Sequence, residues 1–231
     1  MYTIDPTTDA REIERVPAAD GELVLRRAGE HYEIISNGCF LMDTRAGESE
    51  RLLVRSALDA LGDVPALRIL VGGLGVGFTL REALTEPRVA HVTVIEREPH
   101  VVAWGRGPLA PFSGHALTDP RVSVVTADLV AWVRSPVTGP DAAPERFHAL
   151  CLDIDNGPEW TVTDGNASLY DDAGLDALRA RLLPGGVLTF WSASASPAFA
   201  DRLRSRFAQV TVHRVAVPRG EPDVVFVARE M

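Results

Sequence analysis

Residues 68–96 read RILVGGLGVGFTLREALTEPRVAHVTVIE. An apolar run, Ile69–Leu70–Val71, feeds into glycines at 72, 73, 75 and 77, then a helical pattern, then a second apolar run that closes on Glu96. This is the order of a nucleotide-binding βαβ unit. Glycines let the backbone turn sharply and approach a ligand, and a carboxylate at the end of the second strand accepts hydrogen bonds from ribose hydroxyls. A Gly-rich strand-to-helix turn also arises from tight packing alone, and the acid at the strand end tips the balance toward a nucleoside site.

Working outward, the strand-like runs Arg68–Val71, His91–Ile95, Val122–Val125, Ala149–Asp153 and Val187–Trp191 alternate with helical patterns over 78–84, 99–106, 129–133, 171–183 and 197–207. Such alternation predicts an α/β fold, a doubly wound and mostly parallel sheet that binds ligands at the carboxyl ends of its strands. Two further runs, Val210–Val217 and Asp223–Ala228, are joined by a Pro/Gly turn too short for a crossover helix. They predict an antiparallel hairpin, completing a seven-stranded Rossmann-like sheet.

Upstream, apolar residues at 52, 53, 57, 60 and 61 mark a helix over Glu48–Leu61, which Gly62 ends. The short runs Glu22–Arg26, Tyr32–Ser36 and Cys39–Asp43 are separated by Ala28–Gly29 and Asn37–Gly38, and the Asn–Gly pair is a hairpin signal. The division expected is a small β-hairpin appendage over 1–46, its first 20 or so residues an irregular lead-in, and a main domain over 47–231.

The 231 residues carry a formal net charge of −9, which disfavours nucleic acid and anionic membranes as partners and admits a cationic substrate. All 23 basic residues are arginine, which excludes lysine Schiff-base chemistry and a phosphate loop built on lysine. Cys39 and Cys151 each lie in an apolar run and are expected to be buried free thiols, as in a reducing cytoplasm. The first residues lack the basic start and apolar stretch of a signal peptide, and no run approaches membrane-spanning length. The six histidines show no metal-ligand pairing and there is no CxxC, so no metal is expected. Ser192, Ser194 and Ser196 alternate with no His–acid pair in support, against a hydrolase triad.

With these elements placed, the chain resembles the spermidine synthase family of aminopropyltransferases, a branch of the class I S-adenosylmethionine-dependent methyltransferase fold. The similar segments are Gly72 to Gly77 followed by Leu80–Arg81–Glu82, Val94 to Pro99, Asp119–Pro120–Arg121–Val122 leading to Ala127–Asp128, Leu169–Tyr170, and Pro184–Gly185–Gly186. Together they cover about residues 47 to 228. Three positions depart from the family pattern. Val76 stands where the family loop has an aspartate. Glu48 and Glu50 stand without the tyrosine that follows their counterparts. The motif after the fourth strand reads Asp153–Ile154–Asp155–Asn156–Gly157–Pro158, its second acid one place early.

The resemblance implies S-adenosylmethionine or its decarboxylated form as co-substrate, with a small amine as acceptor, no nucleic-acid or membrane partner, and room for a homodimer. Glu96 is then the ribose anchor; Gly73, Gly75 and Gly77 line the methionine moiety; Asp128 accepts from adenine or simply caps a helix. Asp153 and Asp155, two apart on an extended strand, would repel, raise a pKa and orient an amine, with Asp153 the carrier of the family's role. Glu50 faces the substrate, and the aperiodic loop from Asn156 to Tyr170 carries Trp160 and Tyr170 as candidate cover residues, Trp160 by cation–π contact or as a core anchor. Trp104, Trp132 and Trp191 lie in helical or strand runs and are expected in the core. Competing readings are methyl transfer, aminocarboxypropyl transfer or cyclisation of the donor, a non-catalytic nucleoside-binding module and, disfavoured by the terminal hairpin, a nicotinamide-dependent oxidoreductase.

Overall fold

A computed structural model describes residues 10–135, 145–161, 163–218 and 220–230. Four strands come first: β1 (Ala10–Ala18), β2 (Gly21–Ala28), β3 (His31–Ser36) and β4 (Cys39–Asp43), paired antiparallel in that order. After α1 (Glu48–Leu61) follow β5 (Leu67–Gly72), α2 (Phe78–Thr85), β6 (Val89–Glu96), α3 (Pro99–Arg106), β7 (Val122–Thr126) and α4 (Leu129–Arg134). The chain continues through β8 (Phe147–Leu152), α5 (Asp172–Ala180), β9 (Leu182–Ser192), α6 (Pro197–Arg204), β10 (Gln209–Val215) and β11 (Asp223–Arg229).

Strands β5 to β11 form one sheet in the order β10-β11-β9-β8-β5-β6-β7. The five strands β5 to β9 run parallel, and β11 is antiparallel to both β9 and β10. Strand β5 is apolar from Ile69 to Val71 because both its faces are covered there. Ile69 and Val71 join a core with α1, α2 and α3, whereas Leu70 joins a second core with α4, α5 and α6. That alternation is the pleat read out in packing.

The N-terminal sheet docks on the first core through Leu23, Leu25 and Ile34, and the Trp104 indole donates to Glu14 Oε2 at 2.6 Å. Its other face holds Glu33, 3% exposed and ion-paired to Arg26 and Arg45, whose hydrogen bonds outweigh burial and hold its carboxyl below the usual range.

Three expectations change. The irregular lead-in is from Ala10 onward an edge strand, while residues 1–9 lie outside the described residues. The strand is charged and mostly exposed, and its register breaks at a bulge between Glu12 and Glu14, so it lacks a period-two apolar signal. The helix expected over 171–183 stops at Ala180, and Pro184–Gly185–Gly186 lies inside β9. Cys39 is exposed, since it follows directly on the Asn37–Gly38 turn, whereas Cys151 is buried, which pushes its thiol up to about 12. Among the described residues no helix is long and apolar enough to cross a membrane.

Candidate active site

Strand order reverses direction on either side of β5, which lies between β6 and β8. Such a switch point opens a crevice at the carboxyl ends of the strands. Residues just past those ends meet there: Asp153 N donates to Gly72 O at 2.8 Å, Gly73 N to Ile95 O at 2.9 Å, and Ala127 N to Glu96 O at 3.0 Å.

The turn from β5 into α2 is held by Gly77 N donating to Leu74 O at 2.9 Å. At Gly73, φ is +86° and a Cβ would lie 2.2 Å from the Asp153 carbonyl oxygen, so only glycine lets the β5 and β8 ends come this close. A Cβ on Gly75 would meet the Met42 thioether at 2.6 Å, and one on Gly77 would meet Ser113. The glycines thus also admit protein neighbours, with Met42 of β4 roofing the turn. Gly72 packs against Leu129 and Leu152.

Glu96 ends β6 and is 8% exposed. Its Oε2 accepts from Leu74 N and its Oε1 from Glu98 N, both at 2.8 Å. Burial pushes this carboxyl above the usual range, and the two amides oppose the shift. Asp128 caps α4, accepting from Ala131 N at 2.8 Å.

Asp153 follows the last residue of β8 and accepts from Thr79 Oγ1 at 2.9 Å. Burial and the nearby Glu50 carboxylate lift it to about 7, with Asp223 adding to the effect. Glu50 lies in the first turn of α1 and Asp223 begins β11. Ser49 Oγ stands 2.9 Å from Glu50 Oε2 and 2.8 Å from Asp223 Oδ2. Burial raises both of those carboxyls as well.

Asp153 therefore feels Glu50 and Asp223; the strand alternation expected to align it with Asp155 ends at Leu152, and residues 154–156 form a bend. Asp155 is 7% exposed and turned into its own loop, with Thr163 N 3.5 Å from its Oδ1. Trp160 is 65% exposed and anchors nothing in the core, whereas Tyr170 is buried against Phe190 and Phe199. Trp104 is 2% exposed, and Trp132 and Trp191 are partly buried against the two cores.

Ser49, Thr79 and Asp223 had no signal in the sequence. Asp223 lies 174 positions from Ser49 and opens an ordinary strand. Among the described residues no group of three or more His, Cys, Asp or Glu is arranged to hold a metal ion.

The fold is that of a methyltransferase-like α/β protein carrying an N-terminal antiparallel sheet. It superposes on spermidine synthase in complex with the transition-state analogue AdoDATO with a TM-score of 0.75, covering 96% of this chain and 74% of that one at 17% identity. For the spermidine synthase of Thermotoga maritima the TM-score is 0.71, with 96% and 73% covered at 17% identity. For human methyltransferase-like protein 13 in complex with SAH it is 0.58, with 81% and 82% covered at 20% identity.

In sequence the chain is spermidine synthase-like, a homologue of polyamine aminopropyltransferases. It is 29% identical over 174 residues to that of Corynebacterium efficiens, 75% of this chain and 31% of the relative. It is 29% identical over 204 residues to that of Mycobacterium tuberculosis, covering 85% and 37%. Polyamine aminopropyltransferase 2 of Pseudomonas aeruginosa is 31% identical over 178 residues, covering 72% and 46%. The chain thus spans about a third of the length of the first two of these relatives. No family model matches it.

Proposed function

We propose that this chain is a transferase that moves an alkyl group from S-adenosylmethionine, or its decarboxylated form, to a small amine by in-line displacement. One observation carries the reading. A strand-end acid tied to a glycine turn, Glu96 with Leu74, stands at the same carboxyl end of the sheet as Asp153, which is grouped with Glu50 and Asp223, and among the described residues none of these three carboxyls is in a salt bridge. The first half suits a nucleoside and the second a cationic amine.

In this reading Glu96 takes the ribose hydroxyls on its remaining lone pairs, and Gly73, Gly75 and Gly77 shape the turn against the donor's tail. Asp128, already a helix cap, offers a second carboxylate oxygen to adenine. The amine nitrogen attacks the carbon beside the sulfonium, the carbon–sulfur bond breaks, and a neutral thioether leaves. The amine's proton passes to Asp153, whose raised pKa matches that task. Glu50 faces the amine, Trp160 covers the crevice, and Asp155 and Tyr170 support the loop between them. Residues 1–46 serve as the appendage, whose Met42 roofs the turn, and 47–231 as the transferase domain; free thiols suit a cytoplasmic setting.

A second reading is methyl transfer from the intact donor. Val76, 4% exposed, puts no carboxylate where the donor's own carboxylate would meet repulsion. Incubation with each donor, with and without putrescine, followed by mass spectrometry of the nucleoside product separates the two. Methylthioadenosine marks transfer or cyclisation of the carbon chain, S-adenosylhomocysteine marks methyl transfer, and donor binding without product overturns both.

A further inference from the structure

We propose that Glu50, Ser49 and Asp223 form a hydroxyl-bridged pair of carboxyls that retains one proton at neutral pH and gives it up when a cationic amine binds. The retained proton follows from bond counting, whereas its release rests on the acceptor reading above.

Ser49 Oγ is 2.9 Å from Glu50 Oε2 and 2.8 Å from Asp223 Oδ2, both within hydrogen-bond range. A hydroxyl has one proton to donate and two lone pairs to accept with. It satisfies both contacts fully when one carboxyl accepts from it and the other is protonated and donates to it. Two ionised carboxylates would compete for a single proton while repelling each other in a partly desolvated place.

The charged groups around the bridge leave it largely uncompensated. Asp153, from the end of β8, is a third carboxyl whose titration is pushed up by Glu50 and Asp223. Thr79, from α2, gives its hydroxyl proton to Asp153. From β9, the Trp191 indole faces Asp223 and favours its ionised form. From α1, the charge of Arg51 lowers Glu50, and its guanidinium is stacked on the Phe78 ring at 4.7 Å. Among the described residues no salt bridge reaches Glu50, Asp153 or Asp223. Burial raises both bridge carboxyls. The proton supplies the neutralisation that an arginine would otherwise provide.

An alkylammonium group entering beside the bridge takes over that neutralisation. The protonated carboxyl then ionises, its proton goes to solvent, and a carboxylate–ammonium pair remains. Atoms and charge balance, and no further reactant is needed. Amine binding therefore weakens as pH falls below the bridge titration, even though the amine itself stays fully protonated there.

Carboxyl-carbon NMR titration of the full chain without amine tests the proton. One of Glu50 and Asp223 is expected to remain protonated at pH 7. In Asp223→Asn, the Glu50 midpoint should fall toward the ordinary carboxylate range. Two ionised carboxyls at pH 7 would overturn the bridge. Calorimetric titration with putrescine in buffers of different ionisation enthalpy tests the release, with about one proton per amine expected in the native chain and close to none in Asp223→Asn. A protonated carboxyl that survives putrescine binding would overturn the coupling. Failure of putrescine to bind would overturn the acceptor reading and leave the NMR result standing.

Discussion

Glu96 Oε2 lies 2.8 Å from the amide nitrogen of Leu74, so the acid that ends β6 and the turn that follows β5 move as one unit. Two effects of Glu96→Ala follow. Donor binding should weaken at least ~10-fold, or about 1.4 kcal/mol. Stability should fall by about 1–3 kcal/mol because buried amides lose their acceptor. Glu96→Gln keeps an acceptor for one amide, so it should recover much of the stability and little of the affinity. Calorimetric titration and urea unfolding read the two effects separately, and unchanged donor affinity in Glu96→Ala would remove the ribose assignment.

Asp153 titrates at about 7 in the folded chain against an ordinary 3.8. The folded state therefore holds this proton more tightly than the unfolded chain does. The resulting stabilisation is complete below the ordinary value and is lost as pH rises through about 7. Asp153→Asn, with nothing to ionise, should be more stable than the native chain at pH 8, by at least about 1 kcal/mol, with the difference vanishing in acid. Turnover should behave oppositely. The native rate should rise through about pH 7 as Asp153 ionises, and the asparagine variant should lose about 10²-fold or more in kcat together with that rising limb. Equal losses in kcat and donor affinity would count against a proton-accepting role.

Gly73→Ala places a methyl 2.2 Å from the Asp153 carbonyl oxygen at a φ of +86°. It should cost more than about 2 kcal/mol and displace Asp153, so activity should be lost even where the variant folds. Gly165→Ala meets nothing within 4 Å and is a fair comparison. It should leave stability within about 1 kcal/mol, and thermal unfolding of the pair measures the contrast.

Trp160, at 65% exposure, contributes little to the core. Trp160→Ala should leave stability within about 0.5 kcal/mol while reducing turnover. A large loss of stability with normal kinetics would assign the indole to packing.

Sequence and structure agree most closely where one segment contains its own instructions. Helix α1 runs over Glu48–Leu61 as its apolar stripe and Gly62 predict, and α3 spans Pro99–Arg106 with proline in its first turn. The parallel strands were legible because burial on both faces leaves uninterrupted apolar runs, as at Ile69–Val71. Strand β1 was not, because an exposed edge needs charge more than alternation. In the site, Asp153, Glu50 and Glu96 stand at the strand and helix ends where pattern placed them. The pairing of Asp153 with Asp155 failed because it extrapolated an extended strand through a bend. Ser49 and Asp223 were invisible for a different reason. Each is ordinary in its own neighbourhood and becomes informative only when tertiary contact brings the two together.

That contact spans 174 residues of chain, and β11, which presents Asp223, inserts between β9 and β10. Closing so long a loop is slow relative to local helix formation. A nascent or refolding chain can thus have the glycine turn and Glu96 in place while its acidic half is still incomplete. During synthesis, competence to hold a nucleoside should precede competence to process an amine, and in refolding the recovery of turnover should follow the docking of β11 rather than the appearance of helical signal.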